Sequence, residues 1–168
     1  MKMRLGENLT MTLFGESHGN LVGALLEGVP AGLQIDEERI AQRMLTRRPG
    51  GHFASKRKED DAVELLTGIH NGFTTGQPIL IQIRNKDARG KEYSFIPNHP
   101  RPGHQDLLMA LRSGGYADLR GGGSSSARLT AGIVASAAIV EPLLGEIQID
   151  AHVGAVGDVG LRRRYLQW

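Results

Sequence analysis

Glycine punctuates this chain. There are 23 glycines in 168 residues, near twice the usual share of about 7%, and they fall in clusters beside proline, arginine or serine, not at every third position. That excludes collagen and divides the sequence into short segments joined by tight turns. Aromatic residues make up 5% and apolar residues 40%, so aliphatic side chains and Ala/Gly contacts must build the core. At roughly 150 residues per domain, residues 1–168 are expected to form one domain.

The segments between the turns have readable periods. An apolar run with glycine interruptions predicts a strand over residues 21–28, followed by the turn Val29-Pro30-Ala31-Gly32. Asp36 is a plausible N-cap, with Glu37 and Glu38 in the first turn and Ile40, Ala41, Met44 and Leu45 at helical spacing. That helix should stop at Arg48, before Pro49-Gly50-Gly51. Residues 51–61 are polar and charged, which predicts a mobile surface loop. Residues 63–69 and 79–83 read as a pair of strands, and residues 105–112 as a short amphipathic helix. The best helix covers residues 127–140, with a small-residue face of Ala131, Val134, Ala135, Ala138 and Ile139, and Pro142 ends it. Residues 147–153 alternate like a further strand.

Charge and composition exclude several classes. Twenty Lys and Arg against eighteen Asp and Glu leave +2, too little to name a polyanionic partner. No cysteine is present, so there is no disulfide framework, thiol nucleophile or Cys-based metal site, which suits a reducing cytoplasm. The six histidines show no metal-ligand spacing, so no metal is expected. Aromatic residues do not interleave with basic ones, so no nucleic-acid partner is expected. The N-terminus has no continuous apolar stretch for a signal peptide, and residues 131–140 are too few to span a bilayer. The expected location is cytoplasmic.

Three constellations carry chemistry. Gly15-Glu16-Ser17-His18-Gly19 formally matches a serine-hydrolase elbow, but an elbow joins a strand to a helix, and here a strand follows. What remains is a hydroxyl beside an imidazole, a pair suited to proton transfer near neutral pH. Gly121-Gly122-Gly123-Ser124-Ser125-Ser126 precedes the best helix, between Arg120 and Arg128. Such a loop lets backbone N–H groups face an anion. It is neither a Walker A loop nor a dinucleotide fingerprint. Arg47-Arg48-Pro49-Gly50 and Arg101-Pro102-Gly103-His104 repeat the combination of arginine and a rigid turn, which suits a phosphorylated small molecule.

Taken in order, these segments resemble the chorismate synthase family. The resemblance rests on Phe14-Gly15-Glu16-Ser17-His18-Gly19, Glu27-Gly28-Val29-Pro30-Ala31-Gly32 and Arg47-Arg48-Pro49-Gly50. It continues through Lys58-Glu59-Asp60-Asp61-Ala62-Val63-Glu64-Leu65-Leu66-Thr67-Gly68, Gly72-Phe73-Thr74-Thr75-Gly76, Arg101-Pro102-Gly103-His104, Arg120-Gly121-Gly122-Gly123 and Ser125-Ser126-Ala127-Arg128. It implies a lyase that eliminates phosphate from 5-enolpyruvylshikimate 3-phosphate to give chorismate in the shikimate pathway, dependent on reduced FMN, with NADPH as a possible reductant. By this resemblance, His18 protonates the departing phosphate beside Ser17, and His104 protonates or stabilises the reduced flavin. Ser124, Ser125 and Ser126 contact FMN, with Ser126 also a relay candidate. Arg47, Arg48, Arg120 and Arg128 hold anionic groups of substrate, Arg47 also of cofactor.

The resemblance further implies an α+β fold with helices layered between antiparallel β-sheets, and a homotetramer. Ser124 stands where the family usually has arginine, Phe53 near another such place, and Gln105-Asp106-Leu107 keeps the acid of the usual Ala-Asp-Tyr but loses its aromatic residue. Family members are considerably longer, so the chain is read as a truncated N-terminal portion. The alternative is a noncatalytic relic or assembly module that retains weak phosphate or flavin binding.

Overall fold

The computed structural model describes residues 3–47, 61–86, 90–96 and 98–160. Its regular elements are β1 (Arg4–Leu5), β2 (Thr10–Gly15), β3 (Leu21–Glu27), α1 (Glu37–Thr46), β4 (Val63–Leu65), β5 (Ile69–His70), β6 (Phe73–Thr74), β7 (Ile79–Arg84), α2 (Asp106–Arg112), α3 (Thr130–Val140), β8 (Ala155–Val156) and β9 (Val159–Gly160). Five strands make one antiparallel sheet in the order β1-β2-β3-β7-β4. The class is α+β, with antiparallel sheets and three α-helices among the described residues.

Period-two alternation creates the core face of that sheet. In β7, Ile79, Ile81 and Ile83 are fully buried, and their cross-strand partners are Leu26, Ala24 and Val22, all on one side of the pleat. Helix α3 covers this face against β3 and β7, and α1 packs beside α3. Close approach depends on glycine. A Cβ on Gly132 of α3 would lie 2.8 Å from the carbonyl oxygen of Gly23 in β3, so helix and sheet meet backbone to backbone. Ala131, Ala135, Ala138 and Ile139 complete that buried side.

Several expectations are met and others need correction. The strand predicted over residues 21–28 is β3, and Asp36 caps α1 by accepting from Arg39 N–H at 2.9 Å. Ile40 and Met44 are buried, but Leu45 is 52% exposed and Ala41 is exposed too, so the buried stripe is narrower than expected. Helix α1 ends at Thr46 with Arg47 as C-cap, and Arg48 lies outside the described residues. Of the predicted loop, residues 51–60 also lie outside them. Asp61 does not fit a surface loop: it is 4% exposed, at φ +47°.

The predicted strand over residues 63–69 is two strands. Val63–Leu65 pairs with β7, and β5 leaves to form a hairpin with β6. Asn71 and Gly72 join that hairpin at φ +50° and +79°, the two left-handed residues that a two-residue hairpin turn requires. The helix predicted over residues 127–140 begins with 3₁₀ turns at Gly123–Ser125 and Ala127–Leu129, so α3 proper starts at Thr130. Pro142 does end the α-helix, but its ring sits at the start of a further 3₁₀ turn, Glu141–Leu144, where a missing N–H costs little.

The resulting helical stretch Ala127–Leu144 has 18 residues and is apolar enough to cross a bilayer by length and composition. It exceeds the ten-residue run considered from sequence, yet it is here the helix that packs on the sheet. No strand forms over residues 147–153. Ile147, Ile149 and Val153 are 66%, 74% and 70% exposed, so the alternation has no apolar layer to bury against, and the hairpin is β8–β9 instead.

Candidate functional site

The turn between β2 and β3 holds Ser17 and His18. Gly15 starts it at φ +95°, where a Cβ would meet the Leu21 carbonyl oxygen at 2.3 Å. Ser17 therefore lies on a strand-to-strand turn, and the elbow geometry is absent. Asn85, just past β7, clamps the turn by donating to the carbonyls of Glu16 at 3.0 Å and Gly19 at 2.9 Å. Both site residues are buried, Ser17 at 1% exposure and His18 at 8%.

The glycine loop forms the lid of that pair. Ser17 N–H donates to the Gly123 carbonyl at 3.1 Å, and Ser17 Oγ donates to the Arg120 carbonyl at 3.2 Å. Oγ also lies 3.0 Å from His18 Nδ1. A serine has one proton; when the His18 ring is protonated both its nitrogens donate, so Nδ1–H then points to Oγ and the hydroxyl proton goes to the Arg120 carbonyl. A Cβ on Gly121, at φ +62°, would lie 2.5 Å from the His18 ring and 2.8 Å from Ser17 Oγ. One on Gly123 would lie 2.3 Å from the Asp118 carbonyl. These glycines are thus required by packing within the protein, a reason that composition alone did not reveal.

A second arm carries His104. Arg101 makes a two-pronged contact with Asp106 at 2.8 Å through Nε and through its terminal amine, and its backbone N–H adds a third bond at 2.9 Å. His104 Nδ1 lies 2.6 Å from Asp106 Oδ1. The Arg101 guanidinium holds the Asp106 carboxyl well below the usual carboxylate range, against the opposing effect of burial. Arg101 also donates to the Gly121 carbonyl, tying this arm to the glycine loop. Its guanidinium stands 5.6 Å from the Tyr93 ring centroid, and Tyr93 meets the His18 ring edge-on at 4.7 Å. Tyr93 and Arg101 thereby connect the two histidines.

Of the arginines expected to hold anions, Arg47, Arg120 and Arg128 already hold carboxylates. Arg120 binds Asp118 through Nε and its terminal amine, which lowers the Asp118 carboxyl, while burial opposes that shift. Arg47 and Arg128 share Asp61, and Arg128 Nε also donates to Asn85 Oδ1 at 2.9 Å. Ser126 Oγ accepts from Arg128 N–H at 3.2 Å, capping the 3₁₀ turn. Ser124 is half-buried and Ser125 exposed. His104, Asp106, Asp118, Gly122, Gly123 and Ser124 line one small crevice. No group of three or more metal-ligating side chains converges among the described residues.

Ser17, His18, Arg120, His104 and the serine loop therefore come together. Arg47 and Arg128 form a neighbouring cluster, joined to the first through Asn85. Sequence reasoning missed Asp61, Asn85, Tyr93, Asp118 and the pairing of Arg101 with Asp106. Of these, the Arg101–Asp106 pair had a signal: both residues stand in or beside the Arg101-Pro102-Gly103-His104 motif.

Comparison with known proteins points to one family. The family model described as chorismate synthase matches residues 9–167. Chorismate synthase of Aeropyrum pernix is 46% identical over 160 residues, covering 94% of this chain and 42% of the relative. That of Campylobacter fetus is 47% identical over 149 residues, covering 89% and 42%. A crystal structure of chorismate synthase matches with a TM-score of 0.61 and 33% identity, over 83% of this chain and 34% of that one. The chain spans about two fifths of the length of the curated relatives it matches. Because the family match runs through nearly all of its residues, including both histidine arms and the glycine loop, the chain belongs to the chorismate synthase family.

Proposed function

We propose that this chain is the N-terminal part of a chorismate synthase, a carbon–oxygen lyase that eliminates phosphate from 5-enolpyruvylshikimate 3-phosphate to give chorismate. The observation that supports this best is the buried Ser17–His18 pair beneath the glycine loop. With Nδ1–H held by Ser17 Oγ, a protonated His18 ring carries its second proton on Nε2. Transfer of that proton to a phosphate oxygen neutralises charge as the C–O bond breaks and leaves a neutral, already oriented imidazole. Arg120 supplies positive charge beside the same loop, with Arg47, Arg48 and Arg128 the further anion-holding candidates.

The donor set fits one edge of FMN. Ser124, Ser125 and Ser126 offer hydroxyls, His104 a partly exposed imidazole and Arg47 a guanidinium further along. The crevice beside His104 and Ser124 has a volume of about 10 Å³, room for one water, so these residues would hold only part of such a group. When bound, reduced FMN supplies electron density that side chains lack, and NADPH is the proposed reductant. The proposal extends to a cytoplasmic homotetramer with helices layered between two sheets. An open groove of about 820 Å³ along α3, lined by Ile133, Val134, Ala137 and Leu143, leaves space for a further layer there.

The small crevice favours one second reading, a noncatalytic module that binds flavin or phosphate weakly. Anaerobic incubation of the chain with reduced FMN and 5-enolpyruvylshikimate 3-phosphate, followed by a phosphate assay, separates them. Phosphate release that falls by about 10²–10⁴ in His18→Ala supports the lyase. Flavin binding without release supports the module, and neither binding nor release refutes both.

A further inference from the structure

We propose that Asp106 is a positioning residue that fixes the His104 ring with its proton on Nδ1 and so makes Nε2 the nitrogen offered to a ligand. Two contacts compete for Nδ1. Asp106 Oδ1 lies 2.6 Å away, and the Arg101 terminal amine 3.1 Å away. Arginine only donates, so a bond from it would require a bare Nδ1; an ionised carboxylate only accepts, so a bond to it requires Nδ1–H. The shorter contact decides. A nitrogen lone pair facing a carboxylate oxygen at 2.6 Å would be repelled, whereas a proton between them makes a short charge-assisted bond.

The carboxylate is ionised because Arg101 grips it with three N–H groups, and Arg101 is itself fixed by the Gly121 carbonyl. Asp106 has 2% side-chain exposure and His104 35%, so a buried, immobile acceptor orients a ring whose other edge reaches solvent. This is how a second residue sets the tautomer of a working histidine. Asp106 is also the acid retained where the neighbouring positions differ from the family pattern. Its importance to FMN rests on the function proposed above; its effect on the ring does not.

The test uses the 168-residue chain labelled with ¹⁵N-histidine, with two-bond proton–nitrogen spectra recorded at alkaline pH, where the ring is neutral. The His104 signals are identified by their loss in His104→Gln. The wild-type ring should be in the Nδ1–H form, the reverse of the preference of free histidine in water. Asp106→Asn should move the ratio roughly tenfold toward Nε2–H, as a neutral acceptor replaces a charged one, and Asp106→Glu should retain more of the Nδ1–H form. An Nε2–H ring in the wild type overturns the proposal, without need of any variant. So does an unchanged ratio in a folded Asp106→Asn chain. Titration with reduced FMN then tests the other reading separately. An Nδ1–H ring that is blind to the flavin supports positioning by Asp106 and refutes the cofactor role of His104.

Discussion

Gly121→Ala tests whether the glycine loop truly rests on the Ser17–His18 pair. The added methyl has two separable costs. At φ +62° an L-residue sits in the left-handed region, which costs about 1–2 kcal/mol. The Cβ would also lie 2.5 Å from His18 Cε1 and Nδ1 and 2.8 Å from Ser17 Oγ, about 1 Å inside ordinary contact, and overpacking of this kind costs about 1–3 kcal/mol. The total is about 2–5 kcal/mol. Gly32→Ala isolates the first cost, because Gly32 has φ +85° and nothing within 4 Å of its would-be Cβ.

Urea unfolding of both variants gives the difference directly, provided the slopes stay equal. Gly121→Ala should be the less stable by about 1–3 kcal/mol, and His18→Ala in the same chain should recover at least about 1 kcal/mol as a coupling energy. Equal stability of Gly121→Ala and Gly32→Ala, or zero coupling to His18, would refute the packing and with it the argument that the glycine loop positions the imidazole.

Three further outcomes follow from the ion pairs. Asp61→Asn keeps a residue that tolerates φ +47° but removes the carboxylate shared by Arg47 and Arg128, at 5% side-chain exposure for Arg128; urea unfolding should show a loss of about 3–5 kcal/mol. Asp106 is held below its ordinary value of 3.8 chiefly by its bond to Arg101. A lowered carboxyl stabilises the fold above that ordinary value, and the contribution disappears as pH falls through the folded-state value. The wild-type advantage over Asp106→Asn should therefore be lost as pH falls below about 4; an advantage that persists undiminished in strong acid would contradict this. Asp118→Asn releases the Arg120 fork, and inorganic phosphate, followed by calorimetry at low salt, should bind up to about fivefold more tightly, the equivalent of one partly exposed ion pair.

Local chemistry was legible in the sequence and distant pairing was not. Asp36 announced α1 because an N-cap acts within three residues, and the adjacency of Ser17 and His18 was plain because they are neighbours in the chain. The Asn71-Gly72 turn is equally local, yet the strand expected over residues 63–69 overlooks the hairpin that this turn closes, because Ile69 extends the apolar run from Val63 and hides the break. Residues 147–153 failed for the opposite reason. Their alternation is real, but a strand needs a ladder and a buried face, and the described residues supply neither. The partnership of Asp61 with Arg128, 67 positions apart, and the clamp from Asn85 on the Ser17 turn leave no periodic trace, since each is decided by how β7 and the glycine loop meet.

Those distant carboxylates change what the arginines can do. Read from the sequence, Arg47, Arg120 and Arg128 are equivalent positive charges awaiting an anion. In the fold, Arg128 and Asp61 have side-chain exposures of 5% and 2%; breaking them apart would strand a charge away from water, which costs more than a single phosphate contact returns. Arg120 and Asp118, at 44% and 23%, stand partly in solvent, where an ion pair has little net strength. A phosphate can displace Asp118 from Arg120 at low cost, next to the loop that holds Ser17 and His18, whereas Arg128 does its work by holding Asp61 and Asn85 in place. For the phosphate elimination proposed above, the arginine to meet the leaving group would therefore be selected by the exposure of its carboxylate partner, and that criterion favours Arg120.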